Sequence, residues 1–402
     1  MNNIRTNIKN KNKNQLNFVS ILLIIASVIS LSPVFLTVPI FKGNIISLLC
    51  LIAIIFFTKI NLSKQGIFAI IILFLFSIIN ILYWGSFTIK AGIYFYTILL
   101  IVFLLSKNDV FKFTEYLSKF LAIMLIGGFI GFIYALAGGE PLFTFANEDS
   151  RPNYFYLTTF SNSYNTGGII RPSGIFDEPG ALSFLICICV ALRENLQMAR
   201  KTSWFLLITG FITLSTAHAI FFLFFWIGTQ WISLKSFFIS LLIGCSVLLF
   251  FSSFDNPVLV IIEYVFNRFM IVDGSFVGDN RSGLIINSYN YLDLKTFLFG
   301  LDGNCIAGTP LCNPSQNLGY CCNPLTPLVH YGIFLSLPYY ISMAYLLLKS
   351  IKHKDLIIFG VFLLLLQRPY IMAYGYAIML LIYIYSLKFT NKNSVITPKL
   401  SK

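Results

Sequence analysis

The sequence predicts an all-α membrane protein with about twelve transmembrane helices and two long loops on the outer side. Only 11% of its 402 residues are charged and 57% are hydrophobic, whereas soluble domains are about 25% charged and 45–50% apolar. The hydrophobic residues fall into blocks of roughly 16–22 residues, which is the length needed to cross a bilayer. Twelve such blocks leave little chain for a soluble domain, so we predict one polytopic membrane domain over residues 1–402.

The predicted spans follow one another through short connections, except in two places. The long connections, 139–178 and 254–323, exceed the roughly 15 residues beyond which loops are usually functional or disordered. Both contain aromatic and apolar runs, and 258–270 and 283–299 are each predicted to form an interfacial helix. The predicted spans are 16–36, 44–58, 66–84, 90–106, 118–138, 179–194, 203–216, 217–233, 237–253, 324–348, 355–367 and 370–387.

The distribution of charge predicts the topology. The net charge of +13 resides in lysine clusters beside apolar blocks, a pattern typical of cytoplasmic membrane loops rather than of a nucleic-acid-binding face. The first block is longer than a signal-peptide core of about 7–15 residues, so we predict an uncleaved first helix. With cytoplasmic tails at 1–15 and 389–402, 20 of the 28 basic residues lie inside.

Arginine is concentrated on the outer side, where it makes up five of the eight basic residues against three of the 20 inside. Topology needs only positive charge, whereas arginine is preferred for bidentate binding of phosphate or carboxylate. The outer arginines therefore indicate an anionic substrate, although pairing with local acids such as Glu148 and Asp279 is the alternative. These arginines are Arg151, Arg171, Arg268, Arg281 and Arg368.

The first candidate motif, Arg171-Pro-Ser-Gly-Ile-Phe-Asp-Glu-Pro-Gly180, leads from the first long loop into a span. Pro179 suits the first position of a helix, which places Asp177 and Glu178 at that helix's positive end. One interpretation is a helix N-cap, worth about 1 kcal/mol. The other is an arginine and a carboxylate presented together, to bind an anionic head group and activate a hydroxyl.

The second candidate motif begins at Arg281, continues through a predicted amphipathic helix and ends at Phe299-Gly-Leu-Asp-Gly303. Arg281 begins that helix, an unfavourable place for a cation, which indicates another task. His218 and His330 lie at the outer ends of spans, where a structural role is the commoner one. Arg368 lies between two apolar blocks, and ionisable residues at a membrane edge are functional candidates.

The loop cysteines Cys305, Cys312, Cys321 and Cys322 fall within 18 residues, which favours disulfides in an oxidising compartment over a zinc site, without deciding the pairing. The sequence has no phosphate-binding Gly-x-x-x-x-Gly-Lys loop and no His-Glu-x-x-His helix. These absences argue against a nucleotide-driven motor and a zinc hydrolase. We therefore predict a site without metal or cofactor, in which arginines supply the electrostatic stabilisation.

These features together resemble the O-antigen polymerases of bacterial inner membranes. Arg171 to Pro179 is similar to that family's Arg-x-x-Gly-x-Phe-x-Glu-Pro stretch. The run from Arg281 to Phe-Gly-x-x-Gly, and His330-Tyr-Gly-Ile-Phe334, resemble patterns that polymerases share with O-antigen ligases. The ligases carry a His-Asn pair where this chain has Cys322-Asn323, which favours a polymerase. Leu182 and Leu292 depart from the Arg-x10-Gly motifs of some polymerases.

The resemblance implies a polyprenyl-phosphate glycosyltransferase in the inner membrane that joins undecaprenyl-diphosphate-linked repeat units. Arg171 and Arg281 would neutralise the diphosphates, with Arg268, Arg368, Arg151 and Asp177 as further substrate-binding residues. Glu178 would orient or deprotonate the acceptor hydroxyl, and His330 is the second choice. A chain-length regulator and a flippase are the implied partners. An O-antigen ligase and a lipid-linked oligosaccharide flippase, which is not an enzyme, are the alternative functions.

Overall fold

The computed structural model of the chain describes residues 17–32, 43–58, 102, 104–146, 152–162, 170–229, 271–272, 275–276, 282–301, 323–367 and 374–389, with scattered positions between 67 and 82. In this part of the chain most residues are helical, which confirms the predicted helical class. The helices are α1 (Asn17–Ile29), α2 (Gly43–Phe57), α3 (Lys107–Leu136), α4 (Pro179–Asn195), α5 (Arg200–Gly210), α6 (Thr216–Thr229), α7 (Ser282–Asn290), α8 (Leu294–Phe299), α9 (Thr326–His353), α10 (Leu356–Gln367) and α11 (Tyr374–Ser386).

The helices of the described part coincide with nine of the twelve predicted spans. Two of them, α3 and α9, are long and apolar enough to cross a membrane, while α1, α2, α6, α10 and α11 are shorter apolar helices. The predicted spans 66–84, 90–106 and 237–253 lie largely or wholly outside the described residues. The same is true of the predicted interfacial helix at 258–270.

The first long loop contains a small antiparallel sheet, which the all-α prediction missed. Its strands β1 (Phe143–Ala146), β2 (Pro152–Tyr156) and β3 (Thr159–Ser161) are hydrogen-bonded in that order. The register pairs Phe143 with Phe155 and Phe155 with Phe160, so these rings share one face. Tyr156, on the opposite face, packs with Ala135 of α3. Two further strands, β4 (Ile271–Val272) and β5 (Ser275–Phe276), form a minimal hairpin.

Helix α4 lies at the centre of the described core. Nearly all of its side chains from Ala181 to Leu192 are fully buried, as expected of a helix that is apolar on every side. It packs against α3, α5, α6, α10 and α11. Residues just before α4 are therefore attached to a helix that is buried along nearly its whole length.

Helix α3 has one buried and one exposed face. It begins with a capping box, in which Ser106 Oγ accepts from the Asp109 amide at 3.2 Å and Asp109 accepts from the Ser106 amide at 2.8 Å. Its last four turns carry a notch of small residues at Gly127, Gly128 and Gly131. The notch admits neighbouring backbone, since a Cβ at Gly131 would lie 2.6 Å from the Tyr156 carbonyl oxygen.

The predicted helix at 283–299 is present but broken into α7 and α8. Asp293 causes the break because its side chain caps α8, accepting a hydrogen bond from the Thr296 amide at 2.6 Å. This backbone hydrogen bond lowers the pKa of Asp293. Helix α8 then packs against the start of α9.

Candidate active site

The segment from Arg171 to Glu178 is fixed on both sides by backbone contacts. Phe160 of β3 exchanges backbone hydrogen bonds with it, donating to the Gly174 carbonyl and accepting from the Ser173 amide, both at 2.8 Å. The Gly174 amide donates to Thr159 Oγ1 at 2.9 Å. Gly174 has a φ of +65°, which glycine adopts without strain. The segment is therefore an extension of the sheet rather than a free loop.

The other side of this segment packs against α3. A Cβ at Gly128 would lie 3.3 Å from Pro172 Cβ, and Gly174 lies against Met124. Phe176 is fully buried in the main core, and the Asp177 amide donates to the Leu31 carbonyl at 3.3 Å, just beyond α1. The segment is thus held by α1, α3 and β3 before it enters α4.

The Arg171 guanidinium lies at the end of α5. Its Nε donates to the Thr213 carbonyl at 3.3 Å and its Nη2 to the Leu214 carbonyl at 3.4 Å. These carbonyls end the 3-10 turn Phe211–Thr213 that continues α5, so the cation occupies the negative end of a helix. That position stabilises a cation by about 0.3–1 kcal/mol at exposed sites, and by more where it is partly buried.

Glu178 occupies the N-cap position of α4, with Pro179 as the first helical residue. Its side chain makes no capping hydrogen bond, although the residue is only 9% exposed. The N-cap interpretation is therefore right in position and wrong in mechanism. A carboxylate at the positive end of a helix is stabilised as an anion, which suits a group that accepts a hydrogen bond from a substrate hydroxyl and orients it.

His330 belongs to a second cluster, where α8 meets the first turns of α9. Its ring lies 5.6 Å from that of Tyr331, and the carbonyl of the preceding Val329 accepts from the Leu301 amide at 2.8 Å. The Phe299 and Phe334 rings lie 6.3 Å apart. The two stretches singled out in the sequence, around Phe299 and around His330, are therefore neighbours in the structure.

Glycines make this close approach possible. Gly300 has a φ of +80° and Gly332 a φ of +68°. A Cβ at Gly300 would lie 2.6 Å from the His330 carbonyl carbon, and one at Gly332 would lie 2.6 Å from the Leu298 carbonyl carbon. Each glycine is therefore in close contact with the backbone that precedes the other glycine. We call this reciprocal contact the glycine clasp.

Asn323 joins α7 to the start of α9. Its Nδ2 donates to the Leu284 carbonyl at 3.1 Å and to Ser288 Oγ at 2.7 Å, while its Oδ1 accepts from the Leu325 amide at 2.8 Å. The residue is almost fully buried. Asn323 therefore has a structural role in positioning the second long loop.

Replacing Asn323 with aspartate is expected to lower the free energy of unfolding by about 1–3 kcal/mol, because a carboxylate cannot donate to Leu284 and Ser288. The measurement is unfolding of the purified protein in detergent. Asn290→Asp, which makes the same change at an exposed position of α7, serves as the control and should stay within about 0.5 kcal/mol. Equal stability of the two variants would contradict the role of the Asn323 amide.

His218 is structural, as the commoner interpretation expects. It is fully buried, with Nε2 2.8 Å from the Leu207 carbonyl and Nδ1 3.6 Å from the Cys187 thiol. Because the carbonyl can only accept, Nε2 carries the proton. The imidazole thus links α4, α5 and α6 in the core.

The remaining predicted site residues, Arg151, Arg268, Arg281 and Arg368, lie outside the described residues, as do Cys305, Cys312, Cys321 and Cys322. Arg171, Asp177 and Glu178 lie together on one segment, and His330 belongs to the separate cluster at α9. Within the described part of the chain, no group of three or more His, Cys, Asp or Glu side chains comes together as a metal site.

An apolar groove between α3 and the α5 region was missed by the sequence analysis. It has a volume of about 540 Å³, and none of the described residues that line it is charged. Its lining is as apolar as the rest of the two helices, so no motif in the sequence indicated it. The groove is lined by Leu125, Ile126, Phe129, Ile130, Phe132, Phe205, Ile208, Thr209, Ile212 and Leu214.

Comparison with known proteins gives no match, either to a family model or to a curated protein.

Proposed function

We propose that the chain is an O-antigen polymerase of the inner membrane, which joins undecaprenyl-diphosphate-linked oligosaccharide units. The proposal includes the twelve-span topology with both termini in the cytoplasm. The observation that carries it is the segment Arg171–Glu178, which holds a cation and a nearly buried carboxylate on one fixed stretch of backbone. A fixed cation can stabilise a departing diphosphate, and a carboxylate can accept the proton of an attacking hydroxyl.

The position of this segment along the axis of α3 supports the proposal. The last charged residue of α3 is Lys119, and Gly128, against which Pro172 packs, lies nine residues further on. At 1.5 Å per residue these are about 13 Å apart, and the helix continues for about 12 Å beyond Gly128. The backbone at Arg171 and Pro172 thus lies beside an apolar stretch of α3, and ionisable residues next to such stretches of a membrane protein are functional candidates.

The reaction assigns one task to each group. An acceptor hydroxyl attacks the anomeric carbon of the donor, the new glycosidic C–O bond forms and the C–O bond to the diphosphate breaks. Glu178 receives the hydroxyl proton. Arg171 stabilises the negative charge that grows on the departing diphosphate, which a fixed cation does well where water is scarce. The lipid diphosphate leaves with the bonding electrons, so charge and atoms balance.

Deleting the gene is expected to leave lipopolysaccharide with a single repeat unit on its core in place of the ladder of chain lengths. Complementation with wild type should restore the ladder, whereas Glu178→Gln, which keeps size and removes the charge, should restore little of it at equal membrane abundance. The measurement is gel electrophoresis of lipopolysaccharide.

The other outcomes separate the alternatives. Bare core with polymer retained on the lipid carrier would identify a ligase, and bare core without outer polymer a flippase. A full ladder from Glu178→Gln would remove Glu178 from the mechanism. An unchanged ladder in the deletion strain would refute O-antigen assembly as the function.

A further inference from the structure

The groove between α3 and α5 has the shape and surface of a site for an apolar chain. Its walls are formed by aliphatic and aromatic side chains of both helices. Several of these side chains face outward, with Phe129 57% exposed and Ile208 59% exposed. In the proposed topology that outward direction is the lipid phase, so a chain could enter sideways from the bilayer.

A positive charge lies next to the groove. Leu214 lines the groove, and its carbonyl accepts from Nη2 of Arg171 at 3.4 Å. The guanidinium is therefore in direct contact with a groove residue. On the α3 side, Pro172 packs on Gly128, next to the lining residue Phe129. A fixed cation thus adjoins the apolar groove.

We infer that this groove binds the isoprenoid chain of a lipid-linked donor, with its diphosphate at Arg171. This inference rests on the proposed function and extends it from the reacting groups to the carrier lipid. Charge complementarity selects the occupant, because a ligand with a long apolar tail and an anionic head matches both the apolar walls and the adjacent cation. Among such ligands, a lipid diphosphate carries more negative charge than a lipid with a single phosphate, so it is attracted more strongly to Arg171.

The apolar walls of the groove and the adjacent guanidinium contribute to binding in different ways. Lipid tails are as apolar as the groove walls, so little hydrophobic free energy is gained when an isoprenoid replaces them. The chain gains packing contacts and loses freedom, which fixes the position of the sugar above it. The attraction between diphosphate and guanidinium supplies affinity, because charges interact more strongly where water is scarce.

The test uses the full chain in nanodiscs with an undecaprenyl diphosphate probe that carries a photoreactive group on its chain. Ile208→Trp, which fills the groove, is expected to raise the apparent Kd about tenfold, a modest factor because packing alone is lost. Ile341→Trp on α9 is the matched control, since Ile341 is 58% exposed and lies outside the groove. Crosslinked peptides should come from α3 and α5.

Three results would overturn the groove: an unchanged Kd for Ile208→Trp, crosslinks elsewhere, or equal displacement of the probe by phosphatidylglycerol, which would identify a general lipid contact. The joining of repeat units, measured in the same nanodiscs, separates the two proposals. If Ile208→Trp binds the probe and joins repeat units normally, the groove is not the lipid site and the proposed function stands. If the probe binds in the groove but the wild-type protein joins no repeat units, the lipid site is supported and the proposed polymerase function is refuted.

Discussion

Replacing Arg171 with lysine is expected to lower the rate of repeat-unit joining by about a hundredfold, despite the retained positive charge. The guanidinium donates from two nitrogens to two successive carbonyls, those of Thr213 and Leu214. An ammonium group is a compact point charge without this fork, so it cannot keep the same position while facing a diphosphate. Loss of one well-placed group that stabilises charge in a transition state typically costs about 10²–10³ in rate.

The measurement is chain elongation by the purified protein, with membrane abundance checked by immunoblot in the host. Arg200→Lys is the control because Arg200 pairs with Glu194 in an exposed contact, with its Nε 3.2 Å from the carboxylate. Exposed pairs contribute about 0–1 kcal/mol, so this variant should elongate normally. Wild-type elongation by Arg171→Lys would show that charge alone suffices and that the fork has no catalytic importance.

The helices were the most predictable part of the fold. Their apolar blocks are long and begin or end at charges, prolines or glycines, and helix formation depends mainly on such local patterns. The predicted spans 203–216 and 217–233 meet where the chain turns, through a 3-10 turn and Leu214 at a φ of +49°. Pro179 correctly marked the first residue of α4.

The sheet in the first loop was less predictable because its strands are only three to five residues long. A short alternation of this kind is weak evidence by itself. The pairing of β3 with Gly174 depends on contacts across the chain. The same holds for Arg171, since the sequence indicated its charge but not that two carbonyls of the α5 end would fix it.

The second loop shows a local signal overriding a longer pattern. Residues 283–299 have the composition of one amphipathic helix, yet Asp293 accepts the Thr296 amide and begins a new helix there. Side chains of this type compete with the helix by bonding nearby backbone groups. Gly300 and Gly332 lie in two stretches that the sequence singled out, Phe299 to Gly303 and His330 to Phe334, but their contact with each other is a tertiary feature.

The glycine clasp leads to the prediction with the largest expected effect on stability. Gly332→Ala should lower the free energy of unfolding by about 2–5 kcal/mol, since the new Cβ meets two penalties. The backbone conformation, with φ +68° and ψ 176°, is one that essentially only glycine adopts, at a cost of about 1–3 kcal/mol for other residues. The methyl group would also collide with the backbone at Leu298, and overpacking typically costs about 1–3 kcal/mol.

Two other glycines separate these penalties. Gly138 has a φ of +84° but open space around its Cβ position, so Gly138→Ala carries the backbone cost alone, about 1–2 kcal/mol. Gly283 in α7 has open space and no positive φ, so Gly283→Ala should change stability by less than about 1 kcal/mol, and in the stabilising direction. Unfolding in detergent should therefore rank Gly332→Ala below Gly138→Ala, and Gly138→Ala below Gly283→Ala.

Gly300→Ala should be as damaging as Gly332→Ala, because both changes push apart the same two stretches of backbone. For the same reason the double variant should cost less than the sum of the two single changes, since residues in contact are not additive. If the costs add fully, the two glycines act independently and the clasp is not one contact. If Gly332→Ala matches Gly138→Ala instead, the backbone at Leu298 yields to the methyl group, and α8 is not held against α9 by close packing.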